Sequence, residues 1–155
     1  MIASSFYQTI DYIVNTSIQL KNKYIDQVNV LIEFACIFSK NMEEYQELTE
    51  IIKQLGRIVQ DTPSGYTYML DNPIKTKAGK LRLIKIRKPD PNRSERGDVD
   101  FNTNYPEFKN KYADKEDFEL ITREDFEMLR LSNPEFDVLA CFSSTPLSKS
   151  LGVRL

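Results

Sequence analysis

One pattern limits the fold of this chain more than any other: a strand, a helix and three strands occur in that order, and then occur again. In the first pass, the β-branched, apolar run 28–38 (VNVLIEFACIF) suits a strand buried on both faces. The spacing of Tyr45, Leu48, Ile51, Ile52 and Leu55 predicts a helix over 41–55. Asn41 is its expected cap, Glu44 the capping-box partner, and Gly56 the expected left-handed stop. Strands are expected at 57–60 and 66–70, around a turn containing Pro63 and Gly65, and at 81–88, where Pro89 and Pro91 end the run. In the second pass, 98–103 is extended and Tyr105–Tyr112 is a short helix, with Asn104 as its expected cap. Strands follow at 118–122, 126–131 and 136–142, the last two divided by Asn133-Pro134. The segments IFSKNMEEYQEL and DFNTNYPEFKNK correspond: a strand ends in Phe and polar residues, an Asn follows, and a helix opens.

The expected fold class is therefore α+β, with two βαβββ modules at 28–91 and 97–142 forming a single domain over 28–142. An added amphipathic helix lies within 1–27, carrying Phe6, Ile10, Ile13, Ile18 and Leu20, with Ser4 or Ser5 as cap. The Ser/Pro-containing tail 143–155 is expected on the surface. A net charge of -2 over 155 residues argues against general nucleic-acid affinity. No run is long and apolar enough to span a membrane, and MIASSFYQTIDY is not a signal peptide. A cytoplasmic location is the expectation.

There is no histidine, which removes Ser-His-Asp and Cys-His catalysis and the usual near-neutral proton shuttle. Cys36 and Cys141 sit in apolar runs and read as buried, inert thiols. No P-loop, dinucleotide fingerprint or nucleophile elbow is present.

The central stretch KLRLIKIRKPDPNRSERGDVDFNT carries the charge pattern of a site. Alternation puts Lys85 and Arg87 on one face of their strand and Asp98 and Asp100 on one face of theirs, with Val99 and Phe101 turned to the helices. A cup with an apolar bottom and a charged mouth follows, and an arginine fork recognises carboxylate or phosphate. The alternative is a structural Arg87–Asp98 ion pair. A rival set, Glu33, Asp98, Asp100 and Glu127, is the candidate for holding Mg or Mn through oxygen ligands in a metal-dependent enzyme. The basic loop 75–96, with nine of the 21 Lys and Arg residues, is the candidate for contact with nucleic acid or a protein.

The segments FACIFSKNMEEYQELTEIIKQLG, RGDVDF and FEMLRLSNPEFDVLACF resemble the vicinal oxygen chelate superfamily, which includes the glyoxalase and bleomycin-resistance proteins. The resemblance implies a curved mixed sheet whose concave side holds a metal on His and Glu from the first and last strands of each module. Those four positions fall here at Phe34 (with Glu33 adjacent), Arg87, Asp98 and Ala140. Of these only Asp98 can ligate a metal, so the expectation is a divergent member without the family's catalytic metal. No cofactor is predicted, with a divalent metal kept as the alternative. The expected function is binding of a small polar or anionic ligand. Arg87 clamps it, Lys85 adds charge, Asp98 orients Arg87 with Asp100 beside it, and Phe34 packs on the ligand. Nucleic acid is the disfavoured partner, and a homodimer is compatible with the resemblance.

Overall fold

The computed structural model describes residues 2–26 and 30–155. Helix α1 (Ala3–Tyr24) leads into β1 (Ile32–Phe38), α2 (Met42–Leu55), β2 (Gly56–Thr62), β3 (Gly65–Thr76) and β4 (Gly79–Arg87). The second module repeats the order with β5 (Gly97–Phe101), α3 (Tyr105–Tyr112), β6 (Phe118–Thr122), β7 (Glu127–Leu131) and β8 (Val138–Ser143), followed by α4 (Leu147–Leu151). All eight strands form one sheet in the order β2-β3-β4-β1-β5-β8-β7-β6. Each module starts with a strand parallel to its own last strand, β1 with β4 and β5 with β8. The modules meet where β1 and β5 pair antiparallel. The α+β fold of two βαβββ modules is thus present, with the added N-terminal helix.

The helices are held by apolar stripes. Helix α1 buries Phe6, Ile10, Ile13, Val14 and Leu20 and packs on β8, β5 and β1, across the module junction. Helix α2 buries Leu48 and Ile52 and packs on β3, β2 and β4. In the second module Phe108 stacks on Phe142 at 4.4 Å between ring centres and meets Phe118 edge-on. The sheet residues beneath, including Ala35, Ile37, Ile84, Ile86, Val99 and Ala140, are no more than 1% exposed. Each large apolar side chain buried in this layer contributes about 1.5–3 kcal/mol relative to leaving it in water.

Several local expectations are corrected. The first strand starts at Ile32 rather than 28; residues 28 and 29 lie outside the described residues. Helix α1 starts after Ile2, not at a Ser4 or Ser5 cap, and has no side-chain cap bond. Asn41 does cap α2, its side chain accepting from the Glu44 amide at 2.8 Å. Gly56 is not a left-handed stop: its φ of -171 is extended, and it opens β2. Glycine is needed there because an added Cβ would lie 2.2 Å from the Met69 carbonyl oxygen. Asn104 precedes α3 without a side-chain cap bond. The tail carries the short helix α4, none of whose residues is buried, and the Ser148 amide donates to Glu33 at 2.7 Å. No helix among the described residues is long and apolar enough to cross a membrane.

Candidate functional site

The strand registers bring the central charges onto the face turned away from α1, α2 and α3. Cys36 of β1 lies between Lys85 of β4 and Asp98 of β5, and Asp98 is followed by Leu139 of β8. One step toward the strand ends, Phe38 lies beside Arg87. One step the other way, Phe34 lies between Leu83 and Asp100, followed by Cys141 and Arg130. A register shift between Ile32 and Phe34 keeps Ile32 in the helix-side core while Phe34 packs with Cys36, Phe38 and Leu139 on the far face. Phe34, Lys85, Arg87, Asp98 and Asp100 therefore share one face.

They do not share one environment. Asp100 is 5% exposed, and the Ser143 hydroxyl donates to it at 2.6 Å. Burial is the main reason its carboxyl is pushed up to about 8; the Ser143 bond opposes this, and the charges of Asp98 and Glu33 add to it. Asp98 is half-buried. Its carboxyl is pushed up to about 6 by burial, held back by the charges of Arg87, Lys85, Arg130 and Arg93. Among the described residues its direct partner is the Cys141 thiol, at a sulfur–oxygen distance of 3.9 Å. Burial lowers the Lys85 ammonium below its usual range. Cys36 and Cys141 are free and buried, and burial raises both thiols.

Arg87 is oriented by residues other than Asp98. Its guanidinium stands over the Phe38 ring at 4.8 Å and donates to Asp90 at 3.5 Å. Its side chain keeps 25% exposure. It lines a cavity of about 460 Å³ at the C-terminal ends of β1 and β4. Such crevices beyond the carboxyl ends of parallel strands are common ligand sites in sheets with helices. Lys40, Arg87, Lys88, Arg93 and Arg96 line this cavity against the acids Asp90, Glu95 and Asp137. Arg96 is committed to structure, giving both terminal nitrogens to Glu44 at 2.9 Å and one to the Phe38 carbonyl at 2.9 Å. Arg93 is held loosely by Glu95 at 3.3 Å, and Lys40 and Lys88 are exposed. Ser39, also in the lining, has a buried hydroxyl with no hydrogen-bond partner.

The cavity residues of the loop, Lys88 to Arg96, were visible in the sequence only as a proline-interrupted basic run. Ser39 and Lys40 gave no signal except their place after a strand and before a helix cap. Of the basic loop, Arg87, Arg93 and Arg96 engage acids.

A larger cavity of about 540 Å³ is lined by Leu31, Glu33, Asp71, Lys80, Arg82 and Asn102. Arg82 gives two nitrogens to the Leu70 carbonyl, at 2.9 and 3.0 Å. Glu33 is held by Asn102 at 2.9 Å and by the Ser148 amide.

The oxygen-ligand set does not assemble. Glu127 belongs to the helix-side face with Leu129 and Leu131, where Tyr105 and Lys109 each reach it at 2.7 Å. Glu33 is engaged as just described. Among the described residues no group of three or more His, Cys, Asp or Glu could hold a metal ion. The family's ligand positions carry Phe34, Arg87 and Ala140, and the positive charges of Arg87, Lys85, Arg130 and Arg93 act on Asp98. These residues do not fit the family's metal.

No family model and no curated protein sequence matches this chain. Among solved structures, one titled "Structural Genomics, Protein EC4020" superposes with a TM-score of 0.70 at 9% identity, covering 97% of this chain and 90% of that one. A glyoxalase/bleomycin resistance protein/dioxygenase superfamily member from Vibrio splendidus 12B01 superposes with a TM-score of 0.43 at 8% identity, covering 74% of this chain and 96% of that one. The first match extends over nearly the whole chain, and the fold does not rest on the second. The chain therefore has the paired βαβββ fold that the resemblance implied, carried by a sequence without the histidines of that superfamily's metal site.

Proposed function

We propose that this protein binds a small anionic molecule in the cavity at the C-terminal ends of β1 and β4, with Arg87 as the group that grips the anion. The observation that carries this reading is the cavity lining. Arg87 and Arg93 have only long, weak acid contacts there, and Lys40 and Lys88 stand exposed beside them. A guanidinium stacked on an aromatic ring is already oriented, so less freedom is lost when it forms two parallel bonds to a carboxylate or phosphate. Asp90, at 3.5 Å, is a placeholder that a ligand oxygen can replace. The fold alone assigns no chemistry.

A thermal-shift screen of small carboxylates and phosphates, followed by calorimetry on the best of them, tests the proposal. Arg87→Ala is expected to weaken binding by about 10- to 100-fold, the size of a lost charge-assisted hydrogen bond. Arg87→Lys should fall between, because it keeps the charge and loses the fork. Equal affinity for the wild type and Arg87→Ala would remove Arg87 from the site.

A further inference from the structure

We infer that the anion gripped by Arg87 is the phosphate group of a sugar phosphate. Ser39 is its second donor, and the hydroxyl-bearing part of the molecule lies in the adjoining cavity against α1. The inference rests on the anion site proposed above and names the class of molecule that site takes.

The anion end is argued from Ser39. This residue is 6% exposed, its hydroxyl is itself buried, and no described residue bonds to that hydroxyl. A buried hydroxyl without a partner is costly to keep. Ser39 lines the same cavity as Arg87, and its amide donates to the Arg87 carbonyl at 3.3 Å, which holds the two residues side by side. Turning χ1 to another staggered well redirects the hydroxyl without breaking a bond, because it makes none. A carboxylate has two oxygens, and the parallel bonds of an arginine fork engage both. A phosphate monoester has three terminal oxygens, which leaves one for the Ser39 hydroxyl. The exposed ammonium groups of Lys40 and Lys88 line this cavity too and suit the second negative charge of a phosphate.

The other end is argued from what lies beside the anion. A cavity of about 420 Å³ between α1 and Asp137 shares Lys40, Arg96 and Asp137 with the first, so the two adjoin. The rest of its lining is polar and comes from α1: Ser5, Gln8, Thr9 and Tyr12. Tyr12 donates to Asp137 Oδ1 at 2.5 Å. Among the described residues, nothing bonds to Asp137 Oδ2 or to the exposed Gln8 amide. A hydroxyl both donates and accepts, so a run of hydroxyls matches a carboxylate acceptor beside an amide that does both. An apolar tail laid here would strip those groups of water and return no bond. Each cavity falls within the range of about 300–1,000 Å³ usual for small-molecule sites, and a lone phosphate occupies only the first.

Calorimetry with inorganic phosphate, ribose 5-phosphate, glucose 6-phosphate and gluconate tests this, gluconate being a sugar acid with a carboxylate in place of the phosphate. The better sugar phosphate should bind at least about 10-fold tighter than either gluconate or inorganic phosphate. Ser39→Ala should weaken that sugar phosphate by about 10-fold and leave gluconate unchanged. Without ligand, Ser39→Ala should unfold at the wild-type temperature or above it, because the lost hydroxyl had no partner. Gln8→Ala should shrink the advantage of the sugar phosphate while inorganic phosphate binds as before.

Sugar phosphates that bind no tighter than inorganic phosphate or gluconate would overturn the inference while leaving the anion site standing. So would an unchanged sugar phosphate affinity in Ser39→Ala or in Gln8→Ala. A lowered unfolding temperature for unliganded Ser39→Ala would mark the hydroxyl as structural and have the same consequence. Failure of all four anions to bind would overturn the anion site, and this inference with it.

Discussion

Arg96→Ala is expected to destabilise the fold by about 3 kcal/mol, the usual cost of leaving one partner of a buried pair uncompensated. Arg96 and Glu44 are each only 13% exposed and are joined by two 2.9 Å bonds. The pair ties the start of α2 to the residue that leads into β5, and Arg96 also satisfies the Phe38 carbonyl at 2.9 Å. Removing the guanidinium leaves the carboxylate with the Lys40 amide at 2.9 Å as its remaining partner. Thermal unfolding should show a midpoint lowered by about 10 °C for a domain of this size. Adding Glu44→Ala should recover part of the loss, because the orphaned charge is then gone. Strict additivity of the two single substitutions would mean that the pair does not act as a unit.

The second large effect concerns Asp100, and its sign depends on pH. In the unfolded chain an aspartate ionises near pH 4. In the fold, burial keeps the Asp100 proton until about pH 8. Between those values the folded state holds a proton that the unfolded state has released. Stability from this group is therefore fully present below about pH 4 and falls as pH rises through the folded value. Asp100→Asn removes the charge while keeping an oxygen to accept the Ser143 hydroxyl. The variant should gain on the wild type with rising pH, by up to about 1.4 kcal/mol per pH unit across that window. By pH 8 the gain should be on the order of 3 kcal/mol or more. Urea unfolding from pH 5 to pH 8.5 reads this directly. Parallel stability profiles for the two proteins would show that Asp100 is not buried as described.

The fold was legible where patterns were strong. The repeated order of elements located both modules, because each module begins with a strand, a helix and a return to the sheet. Alternation placed Lys85, Arg87, Asp98 and Asp100 on one face because β4 and β5 are regular where those residues sit. Alternation alone could not assign Glu33, which stands at a register shift in β1. Glu127 required the β7–β8 register, which sets Leu129 against Phe142 in the helix-side core. The role of Gly56 lies in its closeness to a distant backbone oxygen, a contact that has no local sequence signature.

The site was less legible than the fold. Asp98 was expected to orient Arg87, but partner choice depends on side-chain distances, and the Phe38 ring and Asp90 are nearer. The cavity itself depends on how the loop from Lys88 to Arg96 folds back. That path is fixed by tertiary bonds such as the Arg96 amide to the Asp137 carbonyl at 2.6 Å and the Lys88 amide to the Ser64 carbonyl at 2.8 Å. Neither bond joins residues close in sequence, so the cationic lining emerges only when the chain is assembled.

The most direct test of an anion site at the ends of β1 and β4 is an amide chemical-shift titration with inorganic phosphate and with the best-binding small acid. The largest shifts should fall on Ser39, Arg87, Lys88 and the stretch from Arg93 to Arg96, and saturate together. Shifts clustered instead at Leu31, Lys80, Arg82 and Asn102, or no saturable shifts at all, would contradict the account.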